Sequence, residues 1–146
     1  MSVYARFKRS PDGFRKLVEL LESTPLSRRQ KMIDVGMQED PEYTNKALQY
    51  VMNFDDIIKL PEPELAEVCA KAPAKMIGYA IHALSEDEKK KFFSCCKREN
   101  VSEVRDSADV NVGPREIGGA QLKLIQTARE LEGQGFVRVK KIPLGE

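Results

Sequence analysis

Apolar residues recur three and four positions apart along almost the whole chain, the spacing of one face of an α-helix. Phe14, Leu17, Val18 and Leu21 fall at i, i+3, i+4 and i+7 and predict a helix, with Ser10 as its cap and Pro11 in its first turn. Ser27 with Gln30 reads as a capping box that opens a second helix carrying Met32, Ile33 and Met37. Asp40 followed by Pro41 opens a third, whose stripe is Tyr43, Ala47, Tyr50, Val51 and Phe54. Asp55 to Leu60 is a short apolar piece, and Pro61 and Pro63 then interrupt the pattern.

Beyond the prolines, Leu65, Val68 and Cys69 mark a short helix. Pro73 opens another with Met76, Ile77, Ala80, Ile81 and Leu84. Ser85 with Glu88 is a further capping box, leading to Phe92, Phe93 and Cys96. Val101 and Val104 give a thin apolar edge to a highly charged stretch, and residues 109–113 read as a loop. The stripe Ala120, Leu124, Ile125, Ala128, Leu131 predicts a long last helix from about Glu116 to Leu131, ended by Gly133 and Gly135. Residues 136–142 read as a short extended tail. The predicted fold is all-α: short helices in armadillo-like layers, followed by a C-terminal helical lobe with a long last helix. The expected division is a basic leader at 1–9, a small helical layer at 10–52, a hinge or linker at 53–63, and the lobe with its charged helix at 64–146.

Composition narrows the function. Lys plus Arg number 24 and Asp plus Glu 23 in 146 residues. That balance lacks the basic footprint of a polyanion binder, so no nucleic-acid partner is expected. No apolar run approaches the roughly 20 residues a membrane span needs, so no direct membrane insertion is expected. The N-terminal stretch has basic residues with no apolar segment behind them, unlike a signal peptide. Three cysteines, Cys69, Cys95 and Cys96, make a poor disulfide framework and suit reduced thiols in the cytoplasm.

Candidate chemistry is sparse. His82 is the sole histidine, and a zinc site would need all three cysteines to converge on it. Adjacent helical residues such as Cys95 and Cys96 diverge by about 100°, which suits one ion poorly. No motif supports a Cys–His nucleophile, a phosphate-binding glycine loop or a carboxylate pair in an apolar pocket. The expectation is therefore no enzyme, no cofactor and no metal. Lys97, Arg98, Glu99, Glu103, Arg105, Asp106 and Asp109 crowd one stretch, either as a solvated face or as a surface for a protein partner.

From about Ser10 onward the chain resembles the C-terminal region of the flagellar motor switch protein FliG family. Val51-Met52-Asn53-Phe54-Asp55-Asp56-Ile57-Ile58-Lys59-Leu60 is similar to the family's Met-Phe-X-Phe hinge and the acidic-apolar segment after it. Here Met52 stands where the first Phe is usual and Val51 where the Met is usual. Glu39-Asp40-Pro41-Glu42 resembles the family's acidic-Pro-Glu helix start. Phe93-Ser94-Cys95-Cys96-Lys97-Arg98 resembles its Phe-Ser-Asn-Met-Ser-Lys-Arg run, one residue shorter. Gly113-Pro114-Arg115 resembles its Gly-Pro-Val-Arg element. Ala120-Gln121, Ile125, Ala128-Arg129, Leu131-Glu132 and Gly135 repeat the spacing of its last helix.

The resemblance implies a cytoplasmic rotor module, peripheral at the inner membrane through a flagellar basal body. It would transmit torque or switch direction by docking helix faces and matching charges with the stator protein MotA and with other rotor subunits, self-association included. The charged partner surface it implies is Lys97, Arg98, Arg105, Asp106 and Arg115, with Arg98 or Lys97 at the family's first cationic position and Arg115, or Glu116 if no residue is deleted, at the one after Gly-Pro; the hinge is Met52, Phe54 and Asp55. The pattern is diluted: Ser107 stands where a second carboxylate is usual, and His82 where the family has a cation. The family's ring-docking N-terminal domain and its middle domain with the Glu-His-Pro-Gln motif for the switch protein FliM have no counterpart in this sequence. A stand-alone helical adaptor outside a motor is the alternative expectation.

Overall fold

The computed structural model describes residues 3–143. Among them the chain forms ten α-helices and one 3-10 turn, and no strand. The polypeptide divides into two compact units. One is built from the chain up to Met52 together with the segment from Lys140 on, and the other is Asn53–Val139.

The first unit holds α1 (Val3–Arg9), α2 (Gly13–Ser23), α3 (Leu26–Glu39) and α4 (Pro41–Tyr50). The basic leader expected at 1–9 is therefore a helix where it is described, from Val3. Tyr4 is buried, its hydroxyl donates to the Met32 carbonyl, and Phe7 packs beside it one turn on. Spacing i, i+3 gives even this short basic segment an apolar side to bury. The core gathers Tyr4, Phe14, Leu17, Val18, Leu21, Ala47, Val51 and, from the returning tail, Ile142. Phe14 is met edge-on by Tyr43 and Tyr50, with ring centroids 5.7 Å away in both cases.

Two expected caps are not used. Helix α2 begins at Gly13 after Asp12 in a left-handed conformation, and the Ser10 hydroxyl turns to the Pro11 carbonyl. Gly13 sits so close to α1 that a Cβ there would lie 1.5 Å from the Phe7 carbonyl oxygen. Helix α3 starts at Leu26 behind Pro25, so Ser27 already lies inside the first turn. Asp40 does cap α4, accepting from the Tyr43 N–H at 3.2 Å, and Pro41 fills the first helical position. Helix α4 ends at Tyr50, so Val51 and Phe54 are not on its stripe; Phe54 opens the next helix, in the other unit.

The second unit holds α5 (Phe54–Ile58), α6 (Glu62–Lys71), α7 (Ala74–Ile81), α8 (Glu86–Cys95), the 3-10 turn Arg98–Asn100, α9 (Val101–Asp109) and α10 (Pro114–Gly133). Residues 53–63, expected as a linker, thus begin with a capped helix: Asn53 and Asp56 form a reciprocal capping box. Helix α7 packs against both α9 and α10, α6 against α8, and α5 against α10. Ile57, Leu60, Leu65, Val68, Ile77, Ile81, Phe92, Val104, Leu124 and Ala128 are all fully buried. The long last helix starts two residues before and ends two residues after its expected bounds. Gly135 at φ 89° then reverses the chain while the Phe136 N–H closes on the Leu131 carbonyl, since glycine takes the left-handed region without strain. The tail forms no strand. Val137 is buried, and Ile142 joins the first unit's core.

Candidate functional site

The charged stretch owes its geometry to a close helix crossing. A Cβ on Gly78 of α7 would meet the Ser107 Cβ at 2.4 Å and the Val104 carbonyl oxygen at 2.7 Å. Only glycine lets the α9 backbone approach so near. Val104, Ser107 and Ala108 face α7 and are buried, which turns Glu103, Arg105, Asp106 and Asp109 to solvent. The far end of α9 is tied by His82, whose Nδ1 lies 2.6 Å from the Ala108 carbonyl oxygen. With the proton on Nδ1 the ring donates there. The expected apolar edge, Val101 and Val104, is thus wider than the valines. Ser107 and Ala108 complete it, and small residues carry too little hydropathy to show in a periodicity reading.

Each of the five expected partner residues is exposed, but they come from three elements. Lys97 stands at the N-cap position of the 3-10 turn and Arg98 opens it, Arg105 and Asp106 belong to α9, and Arg115 to the first turn of α10. The Arg105 guanidinium stands 5.0 Å over the Phe93 ring of α8, so its cation is stacked as well as solvated. Ahead of the turn, α8 is anchored through Lys91, whose ammonium donates to the Ile58 and Leu60 carbonyls at 2.6 Å each. Within a run of three lysines nothing in the sequence distinguishes this one.

The hinge residues have separate surroundings. Met52 is fully buried, and its N–H donates to the buried Glu22 carboxylate at 2.8 Å. Phe54 stacks on Phe92, with centroids 6.1 Å apart and planes inclined by 15°. Asp55 is exposed and pairs with Lys59 at 2.7 Å. Buried charge also appears at positions that no sequence pattern marks. Arg129 and Glu132, one turn apart on α10, form a 2.6 Å ion pair with both side chains almost wholly out of water.

Among the described residues no group of three His, Cys, Asp or Glu is arranged to hold a metal ion. No helix among the described residues is long and apolar enough to cross a membrane. Cys69 is buried in α6. Cys95 ends α8, while Cys96 lies just past it in extended conformation, so the two are not successive residues of one helix as expected. What these residues define is an all-helical domain with exposed charges of both signs on its second unit.

Residues 37–139 match the model of the FliG C-terminal domain, and the chain belongs to that family. It is 23% identical over 132 residues to the flagellar motor switch protein FliG of Thermotoga maritima, a match covering 88% of this chain and 39% of that protein. A crystal structure of a FliG fragment from H. pylori superposes with a TM-score of 0.64 at 17% identity, covering 89% of this chain and 62% of that one. Full-length FliG from Aquifex aeolicus gives 0.54 at 23% identity, covering 86% and 40%. The fold is that of these proteins, and the chain spans well under half the length of the Thermotoga relative.

Proposed function

We propose that this chain is a rotor-side module of a bacterial flagellar motor, working at the cytoplasmic face of the inner membrane. It passes force or a change of direction between protein partners and carries out no bond chemistry. The family match over residues 37–139 carries this reading. In it, Lys97, Arg98, Arg105, Asp106 and Arg115 face a stator protein. Other rotor subunits dock on the helical layers. Met52, Phe54 and Asp55 serve packing first and act as the joint second.

Exposed charges of both signs favour rapid, correctly oriented encounter more than raw affinity, and such contacts weaken with salt. The test is Arg98→Glu. The side chain is exposed, so stability should move by no more than about 0.5 kcal/mol. Binding to the stator's cytoplasmic segment and swimming should both fall. The loss of binding should shrink above about 0.15 M salt, where the Debye length drops below about 8 Å. An opposite charge swap on the partner should restore part of it. Normal binding and motility in the variant would make these charges a solubility coat only.

A further inference from the structure

We propose that residues 140–142 form a detachable strap that holds the chain still where it leaves the first unit at Met52, so that undocking the strap frees the link from Met52 to Asn53. The chain passes between its units twice, out from Met52 to Asn53 and back from Val139 to Lys140. Both links are short and have anchored residues on either side. At the outgoing link, the Met52 N–H donates to the buried Glu22 carboxylate at 2.8 Å, and the Asn53 N–H donates to the Asp56 carboxylate at 2.9 Å. At the returning link, Val137 is buried and the Arg138 N–H donates to the Glu64 carboxylate at 2.8 Å, while Ile142 is buried in the first unit's core.

Lys140 ties the two links together. Its ammonium donates to the Val51 carbonyl at 2.8 Å, one residue before Met52. A single strand turns freely about its own φ and ψ, which is how a few residues serve as a hinge. Two strands tied to each other do not, because turning one pulls the other. Of the two side chains that hold this stretch, Lys140 is the weaker anchor. Glu22 projects from α2 and is fixed within a helix. Lys140 lies in a turn, and its φ of 46° is a left-handed conformation that strains any residue with a Cβ. The strap is held by one ammonium hydrogen bond and one buried isoleucine, so it lets go before α2 or α4 opens. This takes Met52 as the joint of the reading above and adds what locks it.

The test is amide hydrogen exchange of the full chain at Met52, which is fully buried. Lys140→Met keeps the aliphatic stem and removes the donor. Exchange at Met52 should quicken by about tenfold or more, while the amides of Leu17, Val18 and Leu21 in α2 keep their parent rates. Lys140→Arg restores a donor and should exchange like the parent. A third variant inserts Gly-Ser-Gly between Val139 and Lys140, which slackens the returning link and leaves the strap's own residues in place. It should quicken Met52 as well, an effect that a purely local hydrogen bond would not produce. Parent rates at Met52 in either Lys140→Met or the insertion variant would overturn the proposal. So would α2 amides that quicken as much as Met52, since the tail would then be ordinary core. Motor reversals counted in cells carrying Lys140→Met separate the strap from the joint. Altered reversals with fast exchange support both, whereas parent reversals with fast exchange support the strap and remove Met52 as a motor joint.

Discussion

At the scale of single residues, the positions that shape the candidate surface are mostly those without charge. Gly78 sets how near α9 comes to α7, and every exposed side chain of α9 inherits its direction from that approach. Valine regains little helix propensity over glycine beyond a few tenths of a kcal/mol. It would drive a Cβ and two methyls against the Val104 carbonyl and the Ala108 amide, which are backbone and cannot rotate aside. Gly78→Val should therefore lower stability by about 1–3 kcal/mol, the usual range for overpacking. It should also weaken partner binding without changing any charge. Denaturant melts and a binding isotherm of the same variant check both halves, and an unchanged midpoint would mean that the crossing is loose. Sequence reading found the charged residues because charge is conspicuous. It missed Gly78, Ser107 and Ala108 because a small residue signals only by what packs against it.

At the scale of elements, helix interiors were legible and helix starts were uneven. Stripes such as Phe14, Leu17, Val18 and Leu21 bury as expected, because periodicity records the burial that holds a helix in place. Ser85 with Glu88 forms its box, the Glu88 N–H reaching the Ser85 hydroxyl at 3.2 Å, while Ser27 with Gln30 does not. The difference lies upstream. Pro25 starts its helix two residues earlier and leaves Ser27 in the first turn, whereas Ser85 is itself the N-cap. Asp40 shows what a used cap adds. Its carboxyl is held below the ordinary range, first by the hydrogen bond from Lys8 and then by the Tyr43 N–H. A carboxylate with a depressed folded pKa stabilises fully above its unfolded value of about 3.9, and loses that contribution as pH falls through the lower folded value. Asp40→Asn keeps a capping oxygen and removes the titration. The variant should lose less stability than the parent between about pH 4 and pH 2. Thermal melts across that window test it, and parallel curves for the two proteins would remove Asp40 from the acid limb.

At the scale of the whole chain, the order of elements was legible and the path of the chain was not. A sequence read from left to right assigns residues 140–143 to whatever precedes them. The tail instead joins the first unit: Ile142 is 2% exposed in its core, and the Lys140 ammonium donates to the Val51 carbonyl at 2.8 Å. No local pattern announces this, because one apolar residue near a chain end looks like any other. The return has a thermodynamic consequence. Two units with separate cores need not unfold as one transition, so a core substitution should register chiefly in its own unit. Ile142→Ala removes a fully buried aliphatic side chain, and such truncations cost about 2–5 kcal/mol. Hydrogen exchange should quicken at the amides of α2 and α4, which flank that core, by a factor set by this free energy. Exchange at α7 and α10, whose core residues are Ile77, Ile81, Leu124 and Ala128, should stay at its parent rate. If α7 and α10 loosen as much as α2, the chain unfolds as one cooperative body and the tail belongs to both units alike. If neither changes, Ile142 sits on the core without supporting it.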